Sequence, residues 1–375
     1  MKRVVLFGSQ ITVGGAQRVL LDQAAWFWDR GCDVQAVFFY DKDGLAQEWS
    51  ARNPFPITVL STYQRGAGLG KNLGGILHGF FHLVKFLRQV RPDVIECFTH
   101  DADTLGLPAA WLAGVKRRFG THHGQFAGQS GFARKLHTRI INSSLATGLI
   151  CVSERARRQA LEEGILPEKI RVIFNGVRPV TAEPSVRAAV RAELGLREDE
   201  VMVLNVGRLV PEKAQKNLVS AAEKLKNNDR LRFFIAGDGP CRPELEAQIA
   251  KAGLKDSFRL LGNRSDVDRL LNAADLFVLY SDTEGMPVSL MEAMSAGLPC
   301  IASELEGIAQ LIPDERYGTL IAAGDPGLLA DAIRRVLADP ERSAGQGKAA
   351  AVRIREGFSL EASCRQYEEA FYSGS

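Results

Sequence analysis

The fold is decided by one strand–loop–helix unit in the second half of the chain, Leu276-Phe-Val-Leu-Tyr-Ser-Asp-Thr-Glu-Gly-Met-Pro-Val-Ser-Leu-Met-Glu292. Its first four residues are all apolar, so both faces of the strand must be covered by other elements. That pattern is typical of a parallel sheet with helices packed on each side. The helix begins after a loop that contains Gly285 and Pro287.

The same alternation of strand and helix extends over the 375 residues and, at about 150 residues per domain, indicates two domains. Further strands are predicted at Val4–Phe7, Val34–Phe39, Ile57–Leu60, Val94–Cys97, Arg118–Thr121, Leu149–Val152, Val172–Phe174, Met202–Val206, Arg232–Ala236, Arg259–Leu261, Cys300–Ala302 and Thr319–Ile321.

A linker is predicted at 175–185, where Asn-Gly and two prolines interrupt regular structure. It separates two Rossmann-like, doubly wound α/β domains, 1–178 and 179–359. The carboxyl ends of their strands are expected to face a common cleft. The last helix, within 360–375, either closes the second domain or crosses back onto the first.

The composition is that of a soluble globular protein, with 46% apolar and 24% charged residues. It excludes a disordered, collagen-like or disulfide-rich chain. The sequence contains no run of about 18 apolar residues, so we expect no transmembrane helix. Its N-terminal residues have the pattern of a strand and not that of a signal peptide. The six cysteines are far apart and form no C-x-x-C pair. We therefore expect reduced thiols, no zinc site and a cytoplasmic protein.

The first half is basic, because no acidic residue occurs between Glu48 and Asp93 or between Asp103 and Glu154. An apolar stripe is predicted at Leu73, Ile76, Leu77, Phe80, Val84 and Leu87. Aromatic, histidine and basic residues are predicted off that stripe at Phe81, Phe86, His78, His82, Lys85 and Arg88, and a similar mixture occurs at Phe126, Phe132, Arg134, Lys135 and Arg139. Two interpretations stay open: peripheral contact with an anionic membrane surface, or helices that pack on each other.

Cationic and glycine-rich segments follow several of the predicted strands. Arg208 and Lys213 lie in Gly207-Arg-Leu-Val-Pro-Glu-Lys, where a planar fork and a point charge together suit a diphosphate. Gly14-Gly15 and Gly237-Asp-Gly-Pro240 permit a ligand to approach the backbone, or are ordinary turns. Neither a G-x-G-x-x-G fingerprint nor a Walker A loop is present, which argues against a dinucleotide oxidoreductase.

Two glutamates flank the start of the helix in the opening segment. Glu284 and Glu292 are eight residues apart, about two helical turns, so both can point at one ligand. Carboxylates repel phosphate, so they suit sugar hydroxyls, while amides at a helix N-terminus suit a phosphate. The alternative is two exposed helix glutamates. In the first half, His123 follows a strand in Thr121-His-His-Gly and is expected to face the ligand edge.

The order and spacing of these motifs resemble the retaining glycosyltransferases of family 4, which have the GT-B fold. The resemblance covers nearly the whole chain and implies transfer of a hexose from a UDP- or GDP-sugar to an acceptor hydroxyl. It implies retention of configuration and neither a divalent metal nor another cofactor. Asp101-Ala-Asp103 has the letters of a D-x-D metal motif but lies far from the donor motifs.

The resemblance also assigns roles to individual residues. It implies a diphosphate clamp at Arg208 and Lys213, a ribose contact at Glu292, sugar contacts at Glu284 and at the amides of Gly285, Met286, Pro287 and Val288, a nucleobase segment at Asn263 and Arg264, a residue near the reacting centre at His123, and a phosphate-binding loop at Gly15. The sequence departs from the family pattern at Gln17, Arg178 and Ala214, where the family usually has Glu, Asp and Gly.

The sequence leaves the acceptor open: a glycan, a lipid or a small molecule. It favours a cytoplasmic protein, with the inner face of the membrane as a further option, and gives no reason to expect nucleic acid. Two other functions remain as alternatives, a nucleotide-sugar 2-epimerase of GT-B fold and a non-catalytic nucleotide-sugar binding protein.

Overall fold

A computed structural model describes residues 1–60, 69–124 and 131–372, with only the backbone of 69–73. The predicted strands are confirmed, although their ends differ by up to four residues. The chain divides into two compact units. The first contains the residues up to Gly176 and those from Leu360 onward, and the second runs from Val177 to Ser359.

The first unit is built on a seven-stranded parallel sheet with the strand order β3-β2-β1-β4-β5-β6-β7. Its strands are β1 (Arg3–Ile11), β2 (Asp33–Asp41), β3 (Ile57–Val59), β4 (Val94–Phe98), β5 (Arg117–His122), β6 (Gly148–Cys151) and β7 (Ile170–Val172). Its helices before the second unit are α1 (Gly15–Asp29), α2 (Ala46–Arg52), α3 (Leu69–Val90), α4 (His100–Leu112), α5 (Gly131–Asn142) and α6 (Glu154–Glu162), with a 3₁₀ turn at Pro167–Lys169.

The second unit has a six-stranded parallel sheet with the order β10-β9-β8-β11-β12-β13. Its strands are β8 (Val201–Val206), β9 (Leu231–Ala236), β10 (Phe258–Gly262), β11 (Leu276–Leu279), β12 (Cys300–Ser303) and β13 (Thr319–Ile321). Its helices are α7 (Pro184–Leu194), α8 (Gln215–Lys224), α9 (Arg242–Ala252), α10 (Val267–Ala273), α11 (Val288–Ser295), α12 (Glu306–Ala309), α13 (Pro326–Ala338) and α14 (Pro340–Gly357), with a 3₁₀ turn at Pro211–Lys213.

The C-terminal helix, α15 (Leu360–Tyr372), belongs to the first unit, one of the two positions that the sequence left open. The ring of Phe371 packs at 5.8 Å from Phe27 of α1 and at 5.3 Å from Phe119 of β5. Trp26 Nε1 donates a hydrogen bond of 2.7 Å to Glu361. The chain therefore passes from the first unit to the second after Gly176, two residues before the predicted boundary at residue 178. It returns to the first unit at Leu360.

Helix α3 corrects part of the predicted stripe. Leu77 is 52% exposed rather than in the core, and Phe86 is half-buried against the core rather than off it. Phe81 is 64% exposed, as predicted. Neither α3 nor any other helix in the described residues is long and apolar enough to cross a membrane. Leu73 and Phe126 lie outside the residues whose side chains are described.

A carboxyl group lies in the centre of the first unit. Glu96 on β4 is fully buried, and it accepts hydrogen bonds from Thr121 of β5 at 2.7 Å and from Gln23 of α1 at 2.5 Å. Burial raises the pKa of Glu96 from 4.5 to about 8, although these two hydrogen bonds oppose the rise. The folded protein thus holds a neutral carboxylic acid at pH 7.

We expect the contribution of Glu96 to the stability of the first unit to fall as the pH rises from about 4.5 to about 8. In this window the unfolded chain loses the Glu96 proton while the folded protein keeps it. Glu96→Gln removes this ionisation. The free energy of unfolding of the variant should therefore rise relative to that of wild type by up to about 1.4 kcal/mol for each pH unit in this window.

Urea unfolding followed by tryptophan fluorescence tests this, because Trp26, Trp28, Trp49 and Trp111 all lie in the first unit. Glu48→Gln, at an exposed position of α2, is the matched control. A difference between Glu96→Gln and wild type that stays constant from pH 5 to pH 8 would contradict the buried acid.

Candidate functional site

The second unit gathers most of the predicted site residues along one edge of its sheet. Arg208 follows β8, Asn263 follows β10 and Glu284 follows β11. Because β10, β9, β8 and β11 are consecutive neighbours in a parallel sheet, the loops after these strands are also neighbours. This edge is where ligands bind in doubly wound sheets.

The loop that carries Arg208 is held by the turn after β9. Gly207 N donates to Ala236 O, and Leu209 N donates to Asp238 O, both at 3.0 Å. Gly237 has a φ of 145°, and a Cβ at this position would lie 2.0 Å from Gly207 O. These backbone contacts therefore support the interpretation of the 237–240 motif as a turn, and this turn positions Arg208.

The two predicted clamp residues have different surroundings. Arg208 is 44% exposed and lies 4.0 Å from Glu212. Lys213 is only 16% exposed, and its Nζ lies 2.7 Å and 2.8 Å from the two carboxylate oxygens of Glu284. The structure thus joins two of the predicted residues, Lys213 and Glu284, in one buried ion pair.

Ala214, where the resemblance implies glycine, has a backbone conformation that favours glycine. Its φ of 47° and ψ of 33° lie in the left-handed region, where a Cβ costs about 1–2 kcal/mol. The change from glycine therefore has a backbone cost in this chain. Ala214 also lies at the junction of the 3₁₀ turn and α8, directly after Lys213.

Glu284 is fixed from several sides. Its carboxylate is 3% exposed and accepts a hydrogen bond of 2.8 Å from Ser281 Oγ. The carbonyl of Ser281 in turn accepts a bond of 2.7 Å from Ser303 Oγ on β12. The turn after Glu284 presses on α12, since a Cβ on Gly307 would lie 1.8 Å from Gly285 O. The carboxylate is therefore positioned by backbone packing as well as by side chains.

Helix α11 begins at Val288, with Pro287 in extended conformation at the N-cap. Pro287 has no backbone N–H, so the prediction of an amide donor there is wrong. The donors of this turn are the amides of Gly285, Met286 and Val288. Glu292 is half-buried on the same helix, eight residues after Glu284.

The predicted nucleobase segment divides in two. Asn263 is exposed, whereas Arg264 forms two bonds with Asp266 at 2.7 Å and 2.8 Å and one with Glu193 at 2.9 Å. The hydrogen bonds to Asp266 and Glu193 raise the pKa of Arg264. The guanidinium of Arg264 thus ties the loop after β10 to α7, a structural role that the sequence did not indicate.

In the first unit, the predicted residues also lie at the carboxyl ends of strands. Gly15 is the first residue of α1, and the N-cap residue before it, Gly14, has no side chain that could cap the helix. His123 is half-buried after β5, and its ring packs on Phe98 at 6.0 Å. Burial lowers the pKa of His123 to about 4, so its imidazole is neutral at pH 7. Its Nε2 has no hydrogen-bond partner within the described residues.

A second cluster, not predicted from the sequence, joins α4 to α5 in the first unit. Asp103 Oδ2 is 2.9 Å from His137 Nε2, and both side chains are 1% exposed. The ring of His100 lies 4.1 Å from that of His137. Asp101 is 77% exposed, so the two aspartates of the D-x-D letters occupy opposite environments. The described residues contain no group of three or more potential metal ligands.

Two family models match successive parts of the chain. "Glycosyltransferase Family 4" matches residues 13–180, and "Glycosyl transferases group 1" matches residues 186–353. Over 269 residues the chain is 34% identical to UDP-Gal:alpha-D-GlcNAc-diphosphoundecaprenol alpha-1,3-galactosyltransferase of Escherichia coli, covering 68% of this chain and 69% of that protein. The chain belongs to glycosyltransferase family 4. The family membership that its motifs indicated is thereby confirmed.

Other comparisons extend over nearly the full length. The lipopolysaccharide core biosynthesis glycosyltransferase LpsD of Rhizobium meliloti is 27% identical over 363 residues, 97% of this chain and 96% of that protein. The structure of Anabaena Alr3699/HepE in complex with UDP-glucose superposes with a TM-score of 0.86 at 24% identity, covering 99% of both chains. The two parallel-sheet domains of this glycosyltransferase thus have the GT-B fold.

We expect Gly307→Ala to destabilise the second unit by about 1–3 kcal/mol, because the new methyl group collides with the Gly285 carbonyl. Gly345→Ala is the matched control, since a Cβ at this position of α14 meets no atom within 4 Å. It should stabilise by up to about 1 kcal/mol. Denaturant unfolding followed by circular dichroism distinguishes them, and equal effects would contradict the packing of α12 on the Glu284 turn.

Proposed function

We propose that this glycosyltransferase moves a hexose from a UDP- or GDP-sugar to an acceptor hydroxyl with retention of configuration, without a metal ion or another cofactor. The observation that carries the proposal is the juxtaposition of Arg208, Lys213 and Glu284 at one sheet edge, with Lys213 and Glu284 in direct contact. The UDP-galactose donor of the Escherichia coli relative and the UDP-glucose bound to the Anabaena protein support a nucleotide sugar as the donor.

In this mechanism the cations act on the leaving group. Arg208 and Lys213 oppose the negative charge that develops on the diphosphate as the bond to the sugar breaks. The amides of Gly285, Met286 and Val288 add fixed dipoles at the start of α11. The departing phosphate takes the proton of the acceptor hydroxyl.

The remaining residues bind hydroxyl groups. Glu292 holds the ribose, and Glu284 accepts hydrogen bonds from the transferred sugar. In the first unit, His123 is neutral and offers an imidazole nitrogen to a sugar hydroxyl rather than acting as a nucleophile. Asn263 remains exposed for a nucleobase, while Arg264 orients the loop through Asp266 and Glu193.

A release assay tests this function. The protein is incubated with UDP- and GDP-sugars in excess EDTA, with and without an acceptor extract, and free nucleoside diphosphate is measured. Acceptor-dependent release in EDTA supports the proposal. Activity that is lost in EDTA and restored by Mg²⁺ or Mn²⁺ contradicts the metal-free reaction. Conversion of the sugar without an acceptor would indicate an epimerase, and binding without release would indicate a sensor.

For the acceptor we propose a lipid-linked glycan presented at an anionic membrane surface. The Escherichia coli relative is named for a diphosphoundecaprenol acceptor. On α5, Phe132 and Leu136 are 76% and 37% exposed and share one helix face with Lys135 and Arg139. Apolar and basic side chains on one exposed face suit an anionic lipid surface.

Helix α3 has a similar exposed stripe of Leu77, Phe81, Lys85 and Arg88. It packs on α4, and α4 packs on α5, so the two stripes belong to the same helical layer of the first unit. We propose a cytoplasmic location at the inner face of the membrane, which the use of a nucleotide sugar and the six free cysteines support.

We expect Arg208→Ala or Lys213→Ala to lower turnover by roughly a hundredfold or more. Loss of one group that stabilises developing negative charge typically costs about 2.7–4 kcal/mol of barrier. Arg334→Ala, which removes an exposed arginine of α13, should keep nearly full activity. Steady-state rates with the donor identified in the release assay decide the matter, and near-normal turnover in both clamp variants would refute the clamp.

We expect the protein to bind vesicles that contain anionic lipid and to dissociate from them as the salt concentration rises. The reason is that the Debye length shortens from about 10 Å at 0.1 M salt to about 3 Å at 1 M. Phe132→Ser combined with Lys135→Glu should reduce this binding roughly tenfold or more. Leu328→Ser, at an exposed apolar position of α13, is the control. Equal co-sedimentation of both variants with the vesicles would assign the α5 face another role.

A further inference from the structure

The ion pair between Lys213 and Glu284 contains two residues that the proposed function assigns to different parts of the donor. Lys213 is to hold the diphosphate, and Glu284 the sugar. In the structure, however, both oxygens of Glu284 lie within 2.8 Å of the same ammonium group. An ammonium has three N–H donors, and this contact occupies the side of Lys213 that faces the carboxylate.

Only one partner of this pair is free to move. Glu284 is 3% exposed, and Ser281 and the packing of Gly285 on Gly307 hold it in place. Lys213 has a flexible four-carbon stem and three rotatable donors. A diphosphate that recruits Lys213 therefore draws the ammonium away from a carboxylate that stays behind.

That displacement leaves a buried carboxylate without its counter-charge, which is unfavourable unless other donors replace the ammonium. The hydroxyl groups of the intact donor's sugar are such donors. A free nucleoside diphosphate has no sugar and provides none. The cost of opening the ion pair therefore falls on the free diphosphate and not on the intact donor.

We propose that Glu284 and the diphosphate compete for Lys213, and that the sugar decides the competition. With the intact donor, Lys213 moves to the phosphates while the sugar satisfies Glu284. After transfer the sugar has left, Glu284 recovers Lys213, and the nucleoside diphosphate is held less tightly. Glu284 thus promotes product release as well as sugar recognition. This inference rests on the proposed function.

Calorimetry with UDP and GDP on five proteins tests the competition: wild type, Glu284→Gln, Asp282→Asn, Lys213→Ala and the double variant of Lys213→Ala with Glu284→Gln. Glu284→Gln removes the competitor, so it should bind the free diphosphate about tenfold more tightly than wild type, the size of a lost charge-assisted contact. Asp282→Asn removes an exposed charge from the same loop and should change this affinity less than twofold. In the Lys213→Ala background, Glu284→Gln should give much less than its tenfold gain.

A second comparison does not require the Glu284 variant to fold. Lys213→Ala should weaken the free diphosphate at least tenfold less than Arg208→Ala does, because in wild type the contact of Lys213 with the diphosphate is offset by the loss of its ion pair with Glu284, whereas Arg208 lies 4.0 Å from Glu212. Equal losses of diphosphate affinity in the two variants would overturn the competition.

The outcomes separate the inference from the proposed function. Diphosphate binding that is unchanged or weaker in Glu284→Gln overturns the competition and leaves the glycosyl transfer intact. If wild type binds neither UDP nor GDP, nor their sugars, both are wrong. Circular dichroism of each variant establishes that the compared proteins are folded.

Discussion

The organisation of this glycosyltransferase depends on the burial of both faces of each parallel sheet. Strands such as β11, which is apolar at every position, leave no place for a charged side chain within the sheet. Chemistry is therefore confined to the loops at the strand ends, where Arg208, Lys213 and Glu284 lie. The same constraint makes polar groups that do enter the interior, such as Glu96 and Asp103, carry partners and shifted pKa values.

Much of the fold and the family could be predicted from the sequence because the signals are local. A short apolar run defines a strand, and the loop residues Gly285 and Pro287 mark a helix start. Contacts between distant residues gave no such signal. Lys213 and Glu284 are 71 residues apart, and so are Arg264 and Glu193. A sequence pattern indicates that these residues are charged, but not that they neutralise each other.

The buried cluster of the first unit shows the same limit. His137 lies in a basic helix segment, so its sequence neighbours suggest a solvated surface. Its partner Asp103 is on another helix, 34 residues away. On α3, the helical period placed Leu77 inside and Phe86 outside, whereas Leu77 is exposed and Phe86 is half-buried against the core. Helix packing, and not the period alone, decides which flank of an apolar stripe is covered.

The position of α15 has a consequence for biosynthesis. The second unit is inserted in the first, so a ribosome completes both sheets before it has made the helix that covers Phe27 and Phe119. Until α15 is made, nothing from this helix covers the aromatic surface of Phe27 and Phe119. Lys2 also waits for α15, because its partner at 2.7 Å is Glu368. The first unit therefore completes its native packing only after the whole second unit has been translated.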